Sequence, residues 1–221
     1  KALPFEMITI MGAAGGAFVA NNQPKVLKAT AKGLALCFKG SKYTKARYME
    51  LMALLYDILQ KARKEGLMSI EKDVEEPHSS PLFQKYPTVG GDHHVVEFIT
   101  DYLRMMVSGN LNSHEIESLM DSEIETHHHE AHAPVAALQR IAGGLPAFGI
   151  VAAVLGVVNT MGSVGQPPAV LGAMIGSALV GTFLGVFLAY GFVGPFAARL
   201  KAIHDEEGQF YKIIKDVLVA H

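Results

Sequence analysis

Apolar residues crowd two stretches of this 221-residue chain. Residues 3–20 are apolar apart from Glu6 and a few small polar positions, and residues 141–198 contain no Asp, Glu, Lys, Arg or His at all. A membrane crossing takes about 20 mostly apolar residues at 1.5 Å rise each, so the longer run has room for two. Its one interruption is Gly162-Ser163-Val164-Gly165-Gln166-Pro167-Pro168, a cluster of turn formers. The pattern predicts a helical hairpin with one arm over 145–161 and the other over 169–193. Residues 3–20 are short for a crossing, but adequate beside tilted neighbours.

The sequence between these stretches is amphipathic. Leu51, Leu54, Leu55, Ile58 and Leu59 repeat at helical spacing within 43–65, and Gly66 stands where a helix would stop. A second helix is expected over about 93–107, ending before Ser108-Gly109-Asn110; the short strand-like stretch 95–99 does not outweigh it. A third starts at Asn112, with Glu115 at the N3 position of a capping box and Glu117, Asp121, Glu123 and Glu125 in its early turns. It is expected to run past Pro134 towards the membrane. The fold class is therefore an all-α membrane protein: a helical hairpin plus one further transmembrane helix, with a large helical cytoplasmic domain. The expected segments are a transmembrane helix (1–20), a cytoplasmic helical domain (21–140), the hairpin (141–198) and a cytoplasmic C-terminal helix (199–221).

Charge supplies the orientation. Lys25, Lys28, Lys32, Lys39, Lys42, Lys45 and Arg47 precede the first acid after the apolar stretch, Glu50. Arg140, Arg199 and Lys201 flank the hairpin, while its turn is uncharged. Basic residues beside membrane segments mark the cytoplasmic side, so the middle block and the tail face the cytoplasm and the turn faces outward. A net charge of −2 gives no sign of nucleic-acid binding, and the single Cys37 excludes an internal disulfide and fits a reducing compartment. The chain opens at Lys1 without a secretory signal, so its native N-terminus is expected upstream.

Small residues recur every four positions at Gly12, Gly16 and Ala20, at Ala152, Gly156 and Thr160, and at Ala173, Ser177, Gly181, Gly185 and Ala189. Such stripes are helix–helix seams. Any one of them can serve packing within the chain, but three on so few helices point to an oligomer. Thr160 and Thr182 lie on or beside these seams; a membrane threonine often bonds its own i−4 carbonyl, the plain alternative to a role in an ion path. Pro146 and Pro195 sit near the cytoplasmic ends of the two arms, so their kinks are expected at similar depth. Glu6 is the one ionisable group in a membrane segment, expected near water at the outer end. An ion path usually needs a titratable group at mid-depth, so this chain either does not conduct or borrows that group from a partner. His127, His128, His129 and His132 around Glu130 lack the zinc-protease arrangement and read as an exposed polar turn before Pro134. No nucleophile–base pair, phosphate loop, cofactor motif or metal site is apparent, so no enzymatic activity is expected.

Several segments carry a family resemblance: Ser41-Lys42-Tyr43-Thr44-Lys45, residues 62–73, FITDYLRMMVS (98–108), LMDSEIET (119–126), LPAFGIVAAVLGVV (145–158) and VGTFLGVFLAYGFVGP (180–195). Together they resemble the MotA family of flagellar stator subunits along the whole chain. That family has four membrane helices; this chain presents three, its first matching the family's second. The resemblance implies a multi-pass protein of the bacterial inner membrane, five copies ringing a MotB-like partner whose membrane Asp conducts, and contact with lipid. It implies that Pro146 and Pro195 couple ion flow to movement, that Thr182 lies near the partner's Asp, and that Ala153, where sodium-driven relatives tend to carry a hydroxyl, favours protons. Thr160 completes the candidate ion-path set. Arg63 and Glu71, on sequence alone a solvated helix end, match the charges that engage the rotor protein FliG. An ExbB/TolQ-type energiser and a non-conducting membrane scaffold are the alternative readings.

Overall fold

The computed structural model describes residues 3–109 and 112–220, and every regular element among them is helical. In chain order these are α1 (Leu3–Asn21), α2 (Pro24–Lys39), α3 (Lys45–Glu65), a 3-10 turn (Leu67–Ile70), the short helices α4 (Glu71–Glu75), α5 (Pro81–Gln84) and α6 (Pro87–Gly90), then α7 (His93–Ser108), α8 (Ser113–Met161), α9 (Pro168–Leu188), a π-helical turn (Ala189–Val193) and α10 (Gly194–Val219).

The helix ends follow from local chemistry. Thr44 caps α3 by accepting from the Arg47 N–H, and α3 stops at Gly66, whose φ of 88° suits glycine. The α7 helix closes on Gly109 in the left-handed region, φ 65°; Asn110, part of the expected stop, lies outside the described residues. The expected capping box forms: the Glu115 N–H donates to Asn112 Oδ1 and the Asn112 N–H to Glu115 Oε2, both at 2.9 Å.

Two elements depart from expectation. The basic stretch after Asn22 forms a helix of its own, α2, started by Pro24 in its first turn. And α8, which passes Pro134 as expected, also continues through Pro146 into the hairpin arm without a break, 49 residues in all, so His127 to His132 form helix rather than a turn. A proline removes one N–H and can bend a helix, but intact turns on both sides carry the helix through.

The chain divides into two compact units, Lys1–Gly40 with Ala131–Ala202, and Ser41–Glu130 with Ile203–His221. In the second, Leu51, Leu54, Leu55, Ile58, Ile99, Leu103 and Phe210 are fully enclosed and build one core. Tyr43 and Phe210 hold the Arg47 guanidinium over their faces, 5.4 and 5.5 Å from the ring centroids, while Arg47 and Lys42 both bond Asp92. Tyr43 donates to Glu207 at 2.8 Å. Burial pushes the Asp92 carboxyl up, but the two cations outweigh it and hold it below the usual carboxylate range.

In the first unit α1 packs on α9, with Ile10, Ala14, Leu145, Ala152 and Ala189 buried together. A second small cluster joins Val135, Leu138, Ala197 and Leu200 to Leu34 and Cys37 of α2. Gly33 gives Leu200 room: a Cβ there would lie 2.8 Å from the leucine's Cδ2. Two helical runs, Ser113–Met161 and Pro168–Val219, are long and apolar enough to cross a membrane.

Candidate functional site

The two hairpin arms meet backbone to backbone. A Cβ on Gly149 would stand 2.6 Å from the Gly181 carbonyl oxygen, and one on Gly185 2.6 Å from that of Leu145. A Cβ on Gly181 would likewise stand 3.1 Å from the Ala153 nitrogen, and one on Gly156 2.7 Å from the Ala178 Cβ. Gly181 and Gly185 of the long stripe are thus spent on the chain's own hairpin, while Ala173 at its other end stays exposed. The α1 stripe is the reverse: a Cβ at Gly12, Gly15 or Gly16 would meet nothing within 4 Å.

These contacts fix the register: 153 opposite 181, 149 opposite 185, 156 close to 178. Ala153 and Thr182 therefore lie at one level. Ala153 is buried and Thr182 is half-buried. The Thr182 hydroxyl makes no hydrogen bond among the described residues, whereas Thr160, 4 % exposed, donates to the Gly156 carbonyl at 2.9 Å. The i−4 bond considered for both threonines holds for Thr160 alone.

The prolines do not share a depth. On this register Pro146 stands across from the end of α9, near Leu188, and Pro195 lies seven residues farther along, about 10 Å at 1.5 Å per residue. Just before Pro195 the helix widens into the π turn, with the Gly194 N–H bonding the Ala189 carbonyl five residues back. Pro195 has no N–H to donate and its ring crowds the carbonyl four residues earlier; the wider turn relieves that crowding. Such single-turn π segments often accompany function.

Glu6 lies at the turn end of the hairpin beside Asn159 and Thr160, where the sequence put it, but it is shielded there rather than open to water. It is only 3 % exposed, and its Oε2 is enclosed with no hydrogen-bond partner among the described residues.

In the second unit, Arg63 ends α3 and Glu71 opens α4; both are exposed and neither forms an ion pair among the described residues. Arg63 borders a groove of about 650 Å³ with Lys64, Met52, Tyr56 and Val217, and Glu71 is not among its lining residues. A potential metal-ligand group missed in the sequence is His93, His94 and Glu97, whose ligand atoms lie within 4.8 Å of one another, all exposed. The adjacent histidines and an acid one turn on were the available signal.

Comparison with known proteins places this geometry in a lineage. Residues 1–66 match the family description "Motility protein A N-terminal", and residues 92–212 match "MotA/TolQ/ExbB proton channel family". The chain is 48 % identical to Motility protein A of Escherichia coli over 218 residues, 99 % of this chain and 74 % of that one. It is 38 % identical to Chemotaxis protein LafT of Vibrio parahaemolyticus, over 99 % of this chain and 76 % of that one. Its fold resembles the flagellar MotAB stator complex from Bacillus subtilis, with TM-score 0.77, 24 % identity, and coverage of 98 % of this chain and 77 % of that chain. A C. jejuni MotAB structure is similar, with TM-score 0.75, 22 % identity, and coverage of 96 % and 74 %. On these matches the chain belongs to the MotA/TolQ/ExbB proton channel family, among its motility protein A members.

Proposed function

We propose that this chain is a stator subunit that conducts protons only with a MotB-like partner and passes the resulting movement to the flagellar rotor. One observation carries the division of labour: residues 141–198 contain no titratable acid, base or histidine, and the one carboxyl of α1, Glu6, lines a cavity with Asn159 and Thr160 at the turn end of the hairpin. A proton path needs a protonatable group at mid-depth, so another chain must bring it. The relatives solved as MotAB complexes are in keeping with such a pairing.

In this reading, Thr182 at the Ala153 level offers its unbonded hydroxyl to the partner's carboxyl. Ala153, having no hydroxyl, leaves sodium one ligand fewer and favours protons. Thr160, committed to Gly156, holds the outer part of the path. Pro146 and Pro195 make the inner halves of the two arms deformable at two levels, so that protonation of the partner moves them. Arg63 and Glu71 meet FliG through charge. The outward faces of α1 and the hairpin meet lipid and neighbouring copies in a ring of five, in the bacterial inner membrane. The middle block and the tail lie in the cytoplasm, as the basic residues beside the membrane segments support. No nucleic acid, cofactor or catalytic step is involved.

The experiment is proton uptake by liposomes. Vesicles holding this chain alone should match empty vesicles, and vesicles holding it with the MotB-like subunit should take up protons. Thr182→Ala should lower that flux without loss of the complex, and Pro146→Leu should spare assembly while abolishing rotation. Uptake by the chain alone would overturn the division of labour.

A further inference from the structure

Glu6 is a carboxyl in a place where carboxyls are costly. Its residue is 97 % enclosed and Oε2 meets no donor among the described residues. A buried, unpartnered polar atom is rare, because burial without a hydrogen bond costs free energy that folding rarely recovers. In membrane segments such ionisable residues commonly mark ion pathways.

The surroundings point the same way. Glu6 opens onto a cavity of about 540 Å³ within the membrane unit, shared with Asn159 and Thr160 near the end of α8 and Ser177 on α9. Leu155 and Met174 supply apolar wall. A water needs about 30 Å³ and two to four polar partners, so the cavity is roomy and polar enough for several. Thr160 donates its proton to Gly156, which leaves the lone pairs of its oxygen free to accept from a water. Among the described residues no other titratable group faces Glu6: α1 carries none besides it, and neither does any part of the hairpin that packs there.

We propose that Glu6 and this cavity form a proton-loading station at the turn end of the membrane unit. Its carboxylate takes a proton from water on that side and releases it to a second water held by Asn159, Thr160 and Ser177, which hands it on towards the partner's carboxylate. One proton is gained and one lost, and the station returns to its starting form. The inference deepens the conduction reading above and rests on it, as it does on the turn facing outward.

The test compares Glu6→Gln, Glu6→Asp and Glu6→Ala in the complex with the MotB-like subunit, reconstituted in liposomes. Glutamine keeps the size and hydrogen bonding of the acid but holds no exchangeable charge. A proton station predicts that Glu6→Gln lowers flux about tenfold with the complex intact, and that Glu6→Asp keeps most of it. A packing role predicts that Gln matches wild type and only Ala fails, which would overturn the station. Should the variants fail to assemble, the wild-type complex decides. Dicyclohexylcarbodiimide modifies protonated membrane carboxyls, so the peptide carrying Glu6 should gain its mass, less so as the bath pH rises. An unmodified Glu6 beside a modified partner Asp would refute the station. A wild-type complex with no flux above empty vesicles would sink the conduction reading instead, and the station with it.

Discussion

The two units bury themselves with opposite materials. The second closes around large side chains: Leu54, Leu55, Ile58, Ile99 and Phe210 are wholly enclosed, and charged groups gather at its edges as paired networks. The first does the reverse. Its closest contacts are between glycine backbones, while Ile8, Phe183 and Tyr190 stand 72 %, 63 % and 74 % exposed. In water the driving force is removal of apolar surface. In lipid that force vanishes, because the solvent is as apolar as the side chain, and close packing of small residues takes over. One chain thus carries two rules, and a substitution that is mild under one is ruinous under the other.

The largest effect should come from exchanging the rules. Gly185→Leu must push a side chain into the Leu145 carbonyl 2.6 Å away, and backbone cannot step aside as a flexible side chain would. The hairpin should fail to close, seen as loss of the protein from the membrane fraction and rapid proteolysis there. Gly12→Leu, on the open α1 stripe, should leave the chain's own fold intact. If it nonetheless disperses the oligomer, that stripe is a seam between copies. In the second unit, Leu54→Ala should cost about 2–5 kcal/mol, read as faster amide exchange across α3 and α7. A larger loss from Gly12→Leu than from Gly185→Leu would break the comparison.

Much of this was legible in the sequence, for reasons that differ by unit. The hairpin announced itself because 58 consecutive uncharged, non-histidine positions have few other uses, and the capping box at Asn112 and Glu115 because it is a local device. The family came from linear motifs. What escaped depended on who faces whom. A stripe of small residues does not say which helix fills it, so the α9 seam looked open to a partner along its length when α8 already occupies Gly181 and Gly185. Two prolines in an apolar run look equidistant from the membrane surface until a register shows them about 10 Å apart. Burial of Glu6 came from α8 and α9, more than 140 residues away in sequence. The α2 helix was hidden in a basic run whose charges read first as a topology signal, and the His127–His132 segment looked like a turn because Pro134 follows it.

A smaller effect should come from the charges at the edge of the second core. Lys42 and Arg47 hold Asp92 below the ordinary carboxylate range, against a burial that pushes it up. A depressed carboxyl contributes stability that is fully present above its unfolded value near 4 and lost as pH falls through its folded value. Acid should therefore loosen this unit below about pH 4. Asp92→Asn should cost up to about 3 kcal/mol at neutral pH, because it leaves the Arg47 charge buried without its partner. The same change should flatten the acid limb of a thermal-melt series. A variant with the wild-type slope would show that Glu207, also held low despite burial through His204 and Tyr43, dominates the titration instead.

The smallest effect on the fold, and the most telling for function, should come from Arg63 and Glu71. Both are exposed and unpaired among the described residues, and surface changes away from special features usually stay within about 0.5 kcal/mol. Neutralising either should leave the melting temperature unchanged. Each charge contributes only about 0–1 kcal/mol to a contact across water, so one neutral change should slow swimming without stopping it. Reversing both signs replaces two attractions by two repulsions and should abolish motility while proton flux persists. In a reconstituted rotor-binding assay the single variants should be less sensitive to ionic strength than wild type, since one of the attractions that salt screens over about 8–10 Å is already gone. If the double reversal swims normally at unchanged expression, the rotor is met elsewhere. The groove where Arg63 lies beside Met52, Tyr56 and Lys64 is then the next surface to alter.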